Sequence, residues 1–304
     1  GGGRATVGSD ATSTNGGNGG TGTQSDILTG SNAYYSSGGG GGSWGSKTFG
    51  TGSNGGANGG NGTTGSNATG YGNGGGGGGN NGSSGYDGGN GSQGIVILRF
   101  TTSGNGYSQV GGAVTTVGSD TVIAYTASSG TTFTPSASFD VRYLVVGGGA
   151  GGGWNVAGGG GAGGYRTATG FGVTAQAYTI TVGALGGGAG TSQYYGSSGG
   201  DSTFDIITSI GGGGGGSAGN ANGQLGASGG GGSGASNATG QFGLGTTTVT
   251  DLKPANVQVG SRLEETDTRK IYYRDDLDFK ELDGADATNY RSESWYEQLS
   301  GETP

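Results

Sequence analysis

The chain contains no histidine and no cysteine among its 304 residues. Their absence excludes Ser-His-Asp and Cys-His nucleophiles, disulfides and the usual zinc ligand sets. The remaining acids and bases are Asp, Glu, Lys, Arg and Tyr, so we predict that the protein is not an enzyme. Methionine is also absent, even at position 1, and we expect a processed chain or a portion of a longer one.

Long apolar stretches and positive charge are scarce as well. No apolar run approaches the ~20 residues of a membrane span, so we predict no membrane insertion. The net charge is −8, which argues against nucleic acid as a partner because phosphate binding needs a basic face. Glycine patterns of the dinucleotide-binding type recur, but they lack the strand–turn–helix setting that gives this pattern its meaning. We therefore predict no cofactor.

Glycine is what the chain has in excess, with 86 residues, of which 83 fall in the first 250 positions. Uninterrupted runs occur at Gly38–Gly42, Gly74–Gly79 and Gly211–Gly216. Only three prolines and no three-residue period exclude collagen. Leu, Ile, Val and Phe total 43 residues, a level usual for disordered chains, but the low net charge provides little electrostatic expansion. Since polyproline-II-like strands leave each N–H and C=O free to bond a neighbour, we predict ordered polyglycine-II-like layers.

Short apolar runs interrupt the glycine and predict β-strands, because they are rich in β-branched and aromatic residues and are bounded by turn residues. They lie at residues 95–100, 121–125, 141–146, 178–182 and 203–210. We predict a mainly β and irregular fold, in which polyglycine-II-like layers combine with short antiparallel β elements and there is very little helix.

Composition divides the chain into four segments. Residues 1–94 and 147–245 are glycine-rich modules, and residues 95–146 form a small β element that connects them. Residues 246–304 hold 13 of the 20 acids and seven of the 12 bases but only three glycines. We predict that this charged segment anchors the subunit to its neighbours.

Four stretches of the sequence resemble phage tail-fibre proteins. Phe139–Gly164, which reads FDVRYLVVGGGAGGGWNVAGGGGAGG, and Ala177–Gly190 resemble the opening of their glycine-rich modules. Gly94–Phe100, which reads GIVILRF, resembles the closing signature, and Asn256–Pro304 resembles C-terminal segments of structural proteins from marine and freshwater phages. The resemblance implies a virion or extracellular fibre or adhesin subunit, sometimes built on polyglycine-II helices at a receptor-binding tip. The implied partners are further copies of the chain in a trimer or filament, other virion proteins, and a host cell-surface glycan or outer-membrane protein.

The order of these signatures departs from that of the resembled modules, because the closing signature comes before the opening one. Residues 1–100 therefore resemble the back half of one module, and residues 113–245 resemble the front half of another. Either the chain is an excerpt from a tandem fibre, or subunits complete one another's modules end to end.

Aromatic side chains in small, polar surroundings are the candidate receptor contacts. A tyrosine or tryptophan offers a flat apolar face with a polar group, which suits sugar rings and protein surfaces. The alternative is that these rings cap glycine layers or fill gaps between subunits, and we favour packing for Trp154 because it lies inside the module opening. The candidates are Tyr34, Tyr35, Trp44, Tyr71, Tyr86, Tyr194 and Tyr195.

The charged C-terminal segment supplies two further sets of candidates. Its amphipathic pieces are too short for a core of their own, so we expect Ile271, Tyr272, Tyr273, Trp295, Tyr296 and Leu299 to act in assembly. The carboxylates of Asp276, Asp278 and Asp283 are the kind of ligand that Ca²⁺ takes, although the EF-hand spacing is missing. The favoured interpretation is a solvated face whose acids pair with nearby bases, so we predict no metal.

The resemblance, together with these observations, implies a structural fibre or adhesin subunit of a phage virion, which presents glycine-rich loops for attachment to a host surface. The alternative is a capsid decoration or an extracellular filament subunit whose role is self-assembly alone. An ice-binding glycine bundle would show a regular Gly-x-x period and a flat Thr/Ala face. The irregular glycine spacing and the acidic tail count against that third possibility.

Overall fold

The computed structural model describes residues 1–12, 15–127, 130–191, 195–218 and 222–233, together with the backbone of three strands between residues 262 and 282. The chain divides into two compact units, Gly1–Leu244 and Gly245–Pro304. The described residues form strands and extended glycine segments and no helix, which confirms the predicted mainly β fold.

The described part of the first unit contains β-strands of three to nine residues. Their bounds are β1 Thr23–Ser25, β2 Ala33–Tyr35, β3 Ile95–Thr101, β4 Tyr107–Val110, β5 Gly112–Val117, β6 Asp120–Tyr125, β7 Thr131–Pro135, β8 Phe139–Val146, β9 Tyr165–Val173, β10 Tyr178–Thr181, β11 Ser202–Phe204 and β12 Ile207–Ser209. All five predicted runs are strands, and the run at 203–210 divides into β11 and β12 because Asp205 turns the chain with φ 52°.

Two five-stranded antiparallel sheets pack face to face. One has the strand order β5-β6-β3-β8-β9 and the other β12-β11-β10-β7-β4. Side chains alternate between the two faces of a strand, so Val96, Leu98 and Phe100 of β3 enter the core between the sheets, where they meet Phe133 of β7 and Phe204 of β11. Each fully buried side chain of this kind stabilises the fold by about 1.5–3 kcal/mol.

The outer face of the first sheet is covered as well. Ile95 and Ile97 point away from the sandwich core and pack with Ile27 and Tyr35, which belong to the β1–β2 hairpin region. Arg142 of β8 holds the same region through an ion pair with Asp26, with 2.6 Å between Nη2 and Oδ1. The first sheet is therefore buried on both faces around β3.

The glycine segments form a hydrogen-bonded lattice with a three-residue period. In the segment 147–153, every third N–H donates to the same neighbouring segment, so that three successive residues donate to three different neighbouring segments. The neighbours that accept from it are 158–164, 197–200 and 89–92, and those that donate to it are 75–78, 186–189 and 212–215. Three residues per turn is the repeat of a polyproline-II-type helix, which bonds only to other chains or segments.

The same period recurs in two predicted glycine runs. The N–H groups of residues 38 and 41 donate to segment 17–20, those of 39 and 42 to segment 157–160, and those of 40 and 43 to segment 57–60. Residues 74–79 follow the same rule with their own three acceptor segments. Lateral bonding therefore satisfies the backbone of these buried segments, and the predicted polyglycine-II-like layers are present.

Close approach of the segments explains why glycine is required. A Cβ atom built at Gly77 or Gly152 lies nearer than 3.0 Å to backbone atoms of the neighbouring segment, a separation that real Cβ atoms essentially never show. The glycines of the three long runs stay outside the positive-φ region, so spacing between segments, rather than backbone conformation, selects glycine at such closely packed positions. Buried Ala150, Ala157 and Ala162 mark positions where the lattice has room for a methyl group.

The two glycine-rich halves of the sequence pair with each other within one chain. Gly75 donates to Ala150 and Gly160 donates to Gly75, so residues from both halves alternate across the lattice. In the sandwich, β3 of the closing signature lies between β6 and β8, and β8 carries the opening signature. The strands of residues 95–146 share their sheets with β9 to β12, so the segments delimited at 94 and 146 belong to one unit.

In the second unit the structure describes one three-stranded antiparallel sheet. Its strands are β13 Arg262–Glu264, β14 Ile271–Arg274 and β15 Phe279–Leu282, with β14 in the centre. The assembly candidates Ile271, Tyr272 and Tyr273 are successive residues of β14, and Tyr272 is opposite Leu263 and Glu281. The remaining candidates of this segment, Trp295, Tyr296, Leu299, Asp276, Asp278 and Asp283, lie outside the described residues.

Candidate functional site

The lattice has two different ends. At the near end the glycine segments continue into sandwich strands: segment 88–94 leads into β3, β8 leads into segment 147–153, and segment 157–164 leads into β9. At the far end the segments turn back without forming sheet strands. Because loops on a rigid scaffold are the usual carriers of binding function, the far-end turns are the candidate site.

Hydrogen bonds tie the far-end turns together. Trp44 pairs with Asn80 in an isolated β-bridge, and the N–H of Gly45 donates to the carbonyl oxygen of Asn80 over 2.7 Å. Asn80 Nδ2 donates to Asn155 Oδ1 over 2.7 Å, and the N–H of Asn155 donates to the carbonyl oxygen of Tyr86 over 3.1 Å. We call Trp44, Asn80, Asn81, Tyr86, Trp154 and Asn155 the far-end cluster.

The far-end cluster offers aromatic faces and amides. The Trp44 side chain is 52% exposed, and Tyr86 is half-buried with its hydroxyl oxygen accepting from Asn81 Nδ2 over 2.9 Å. The indole N–H of Trp154 is buried and has no hydrogen-bond partner among the described residues. The described far-end turns, residues 43–48, 80–87 and 154–156, carry one base, Lys47, and one acid, Asp87. Such a surface suits neutral polar ligands better than highly charged ones.

The turn between segments 147–153 and 157–164 is strained. Asn155 has φ 64° and Val156 has φ 51°, and a β-branched residue at positive φ is an outlier that costs about 1–3 kcal/mol. The surrounding structure holds it: Ser233 Oγ donates to the Val156 carbonyl oxygen over 2.9 Å, and the N–H of Ala157 donates to Gly78 over 3.0 Å. The lattice therefore fixes the backbone that presents Trp154 and Asn155.

The predicted receptor contacts separate into two groups. Trp44, Tyr86 and Tyr195 lie at the far end, where Tyr195 directly precedes segment 196–200. Tyr34, Tyr35 and Tyr71 lie at the near end, beside the sandwich. Tyr194 is outside the described residues.

Tyr35 occupies a packing position. It is 2% exposed, its ring stacks on Tyr71 at a centroid distance of 6.5 Å, and Tyr165 lies at 6.4 Å. Burial, with smaller contributions from Tyr165 and Tyr71, raises the pKa of Tyr35 to about 12. Tyr34, the next residue, is 41% exposed and so keeps an accessible ring at the near end.

Sequence reasoning did not single out the asparagines of the far-end cluster. Asn80 directly follows the run Gly74–Gly79, and Asn155 follows the segment 147–153 after one intervening residue, Trp154. An asparagine at the end of a glycine run is a local signal for a turn, because its side chain bonds nearby backbone and tolerates positive φ. The pairing of Asn80 with Asn155 spans 75 positions, and no local signal indicates it.

Two concave surfaces outside the far end are open to solvent. Two open cavities of about 400 Å³ lie on the sandwich, one beside Val182 and Leu185 and the other beside Phe139 and Asp140. No group of three or more Asp or Glu side chains that could hold a metal ion occurs among the described residues. Both cavities are open to solvent, whereas a small-molecule site buries most of the surface of its ligand.

Comparison with known proteins yields one family. A family model described as a glycine-rich domain matches residues 121–270, just under half of the chain. No curated protein and no solved structure gives a significant match. The matched range begins in β6 and includes the strained turn at Trp154–Val156. The described residues also contain no helix long and apolar enough to cross a membrane.

Proposed function

We propose that this chain is a non-enzymatic fibre or adhesin subunit of a phage virion, and that its far-end cluster attaches the particle to a host surface. The observation that supports this most directly is the position of the far-end cluster, since a rigid lattice holds exposed Trp44 and half-buried Tyr86 away from the sandwich. The resemblance of the module signatures to phage tail fibres points to the same role.

The lattice suits attachment because it limits the conformational entropy lost on binding. Interior segments such as 147–153 are bonded to neighbours on all sides, so the loops at the end of the lattice are already ordered before a ligand arrives, which lowers the cost of binding. Trp44 supplies a flat apolar face, and the turns bonded to it through Asn80 carry the side-chain amides of Asn81 and Asn155. Several copies on one particle would add weak contacts through avidity.

The second unit is proposed to anchor the subunit to its neighbours in the particle. Its segment holds most of the charged residues of the chain, and β14 places Ile271, Tyr272 and Tyr273 in the centre of its sheet. The self-assembly alternative was suggested by the reversed order of the closing and opening signatures. Because the two glycine-rich halves pair within one chain, that order no longer calls for pairing between subunits.

The test compares two exposed aromatic residues at opposite ends of the lattice. The fluorescently labelled full chain is applied to a panel of intact bacterial cells and to an array of bacterial surface glycans, as wild type, Trp44→Ala and Tyr34→Ala. If Trp44 is a binding hot spot, its truncation costs 2 kcal/mol or more, or about 30-fold in affinity. Tyr34→Ala, at the near end, is expected to bind within about twofold of wild type, less than 0.5 kcal/mol.

Thermal unfolding of all three proteins controls for loss of fold. Equal loss of binding in the two variants, or retention of full affinity by Trp44→Ala, would contradict the assignment of the far end. Absence of binding to every cell type and glycan would contradict the adhesin function itself.

A further inference from the structure

The chain is rich in Asn-Gly pairs, in which the asparagine can deamidate spontaneously. In such a pair the glycine nitrogen can attack the asparagine side-chain amide carbon, because glycine has no Cβ to hinder the approach. A C–N bond forms, ammonia leaves, and the resulting five-membered succinimide is opened by water to aspartate or isoaspartate. The glycine N–H must lose its proton for this step, so an N–H that donates a hydrogen bond within a packed backbone is protected.

The lattice protects most of these pairs. Residues 1–127 contain nine Asn-Gly pairs. In six of them the glycine N–H donates a hydrogen bond over 2.6–2.9 Å, to a carbonyl oxygen or, for Gly82, to Asn80 Oδ1. The protected glycines are Gly16, Gly19, Gly59, Gly74, Gly82 and Gly91.

Three glycine N–H groups in this range have no acceptor among the described residues: those of Gly55, Gly62 and Gly106. Asn61, which precedes Gly62, has its side-chain oxygen buried away from water. Asn105, which precedes Gly106, donates its side-chain Nδ2 to the Thr101 carbonyl oxygen over 2.9 Å.

Among these nine pairs, Asn54 is left as the reactive candidate. It is exposed, and its side chain makes no hydrogen bond within the described structure. Asn54 and Gly55 are the central residues of a turn closed by the Gly56 N–H and the Ser53 carbonyl oxygen over 2.8 Å. Their φ values are 44° and 100°, as in the type I′ turns that Asn-Gly favours. In this turn the N–H of Gly55 donates to no lattice segment among the described residues.

We propose that Asn54 is a modification site, where spontaneous deamidation converts the asparagine to a mixture of aspartate and isoaspartate and adds one negative charge. The turn lies at the near end of the lattice, close to Ser37, whose Oγ donates to the Asn54 carbonyl oxygen over 3.3 Å. The reaction therefore changes the charge of the near-end surface and leaves the far-end cluster unaltered, so its test is independent of the proposed function.

The sequence provides a matched internal control. Asn58 is also exposed, is also followed by Gly-Gly, and lies four positions away in the same tryptic peptide. It differs in its bonds: the Gly59 N–H donates to the Gly50 carbonyl oxygen over 2.9 Å, and Asn58 Oδ1 accepts from the Gly52 N–H over 2.9 Å. The two residues after each asparagine are the same, so a large difference in rate between the two sites reports the fold and not the following residues.

The experiment is incubation of the folded full chain at mildly alkaline pH, followed by peptide mapping with fragmentation that localises each deamidation and separates isoaspartate from aspartate. We expect deamidation at Asn54 at least about tenfold faster than at Asn58, which corresponds to about 1.4 kcal/mol in activation free energy. In denaturant the two rates should become equal. Similar rates in the folded protein, or a faster reaction at Asn58, would overturn the proposal.

A second variant tests whether Asn54 itself contributes to the stability of the fold. Asn54→Asp carries the product charge without the reaction, and it should unfold at the wild-type temperature because the site is an exposed turn. If that variant is markedly destabilised, Asn54 is held by interactions that the structure does not contain, and it is not the unrestrained residue that the proposal requires.

Discussion

Two adjacent glycines, Gly40 and Gly41, are expected to respond in opposite directions to substitution by alanine. Both lie in the run Gly38–Gly42 and both stay outside the positive-φ region, so alanine is compatible with the backbone at either position. At Gly40 a Cβ would come nearer than 3.0 Å to backbone atoms of Gly50 and Thr51. At Gly41 the nearest atoms, the Ala157 oxygen and the Gly17 nitrogen, are 3.5 Å away, which is an ordinary van der Waals contact.

The magnitudes follow from these contacts. Where the native conformation accepts alanine, Gly→Ala stabilises a protein by about 0.4–1 kcal/mol, because the unfolded chain loses conformational freedom. Overpacking costs about 1–3 kcal/mol, and the atoms met at Gly40 are backbone atoms that cannot rotate away. For a domain of this size, about 1 kcal/mol shifts Tm by roughly 2–4 °C. We expect Gly41→Ala to raise Tm by about 1–4 °C and Gly40→Ala to lower it by about 2–12 °C.

Scanning calorimetry and urea denaturation of the full-length variants measure both effects. Gly40 and Gly41 share the same run and the same neighbours in sequence, so composition and local propensity are matched. If Gly40→Ala is as stable as Gly41→Ala, the segments are not packed as closely as the structure has them. Equal destabilisation of both variants would contradict the three-residue period, which gives successive residues different neighbours.

Three further predictions concern side chains. Tyr35→Phe should raise stability by about 1 kcal/mol at neutral pH, because it removes a buried hydroxyl without a partner in the described structure. The pKa of Tyr35 is about 12 in the folded protein, above its ordinary value of 10. The free energy of unfolding of the wild type should therefore fall by roughly 2–3 kcal/mol between pH 10 and 12. Alkaline denaturation of the variant should lack this decrease. The hydrogen bond from Arg142 lowers the pKa of Asp26 in the folded protein. The stability that this ion pair contributes is therefore present above about pH 4 and is lost as pH falls through the folded pKa of Asp26. Asp26→Asn should reduce the slope of Tm against pH on the acid side. Ser202→Ala should cost about 1–3 kcal/mol in urea denaturation, because the buried Oγ donates to Val146 and accepts from Gly183, whereas the exposed Ser198→Ala should stay within about 0.5 kcal/mol.

The strands were the most predictable part of the fold. Ile95–Phe100 and Val141–Val146 are apolar runs interrupted by a single arginine each. Such runs suit a strand buried on both faces, and β3 and β8 are neighbours in the interior of the first sheet. The edge strand β5, with its exposed residues, and β9, interrupted by Gly170 and Gly172, were not predicted. Their pairing depends on partners contributed by distant parts of the chain, and their own composition resembles that of the surrounding loops.

The candidate site was predictable only in its residue types. Aromatic residues among glycine and asparagine predicted exposed contacts, and Trp44 and Tyr86 lie in far-end turns that are joined through Asn80 and Asn155. The same criterion selected Tyr34 and Tyr35, which differ in exposure from 41% to 2% although they are adjacent. Alternation along β2 turns one ring outward and the other onto the first sheet, and no feature of the local sequence distinguishes them.

The amino-acid sequence by itself determined that the chain packs backbone against backbone, because a third of its first 250 residues lack the Cβ that would keep the segments apart. It also determined the absence of histidine and cysteine chemistry. Only the tertiary structure decided which segments are neighbours, which turns meet at the far end, and why Asn54 and Asn58 differ. The physical reason is that polyglycine-II-type segments make their hydrogen bonds to other segments, so glycine runs of identical composition acquire different surroundings only when the whole lattice forms.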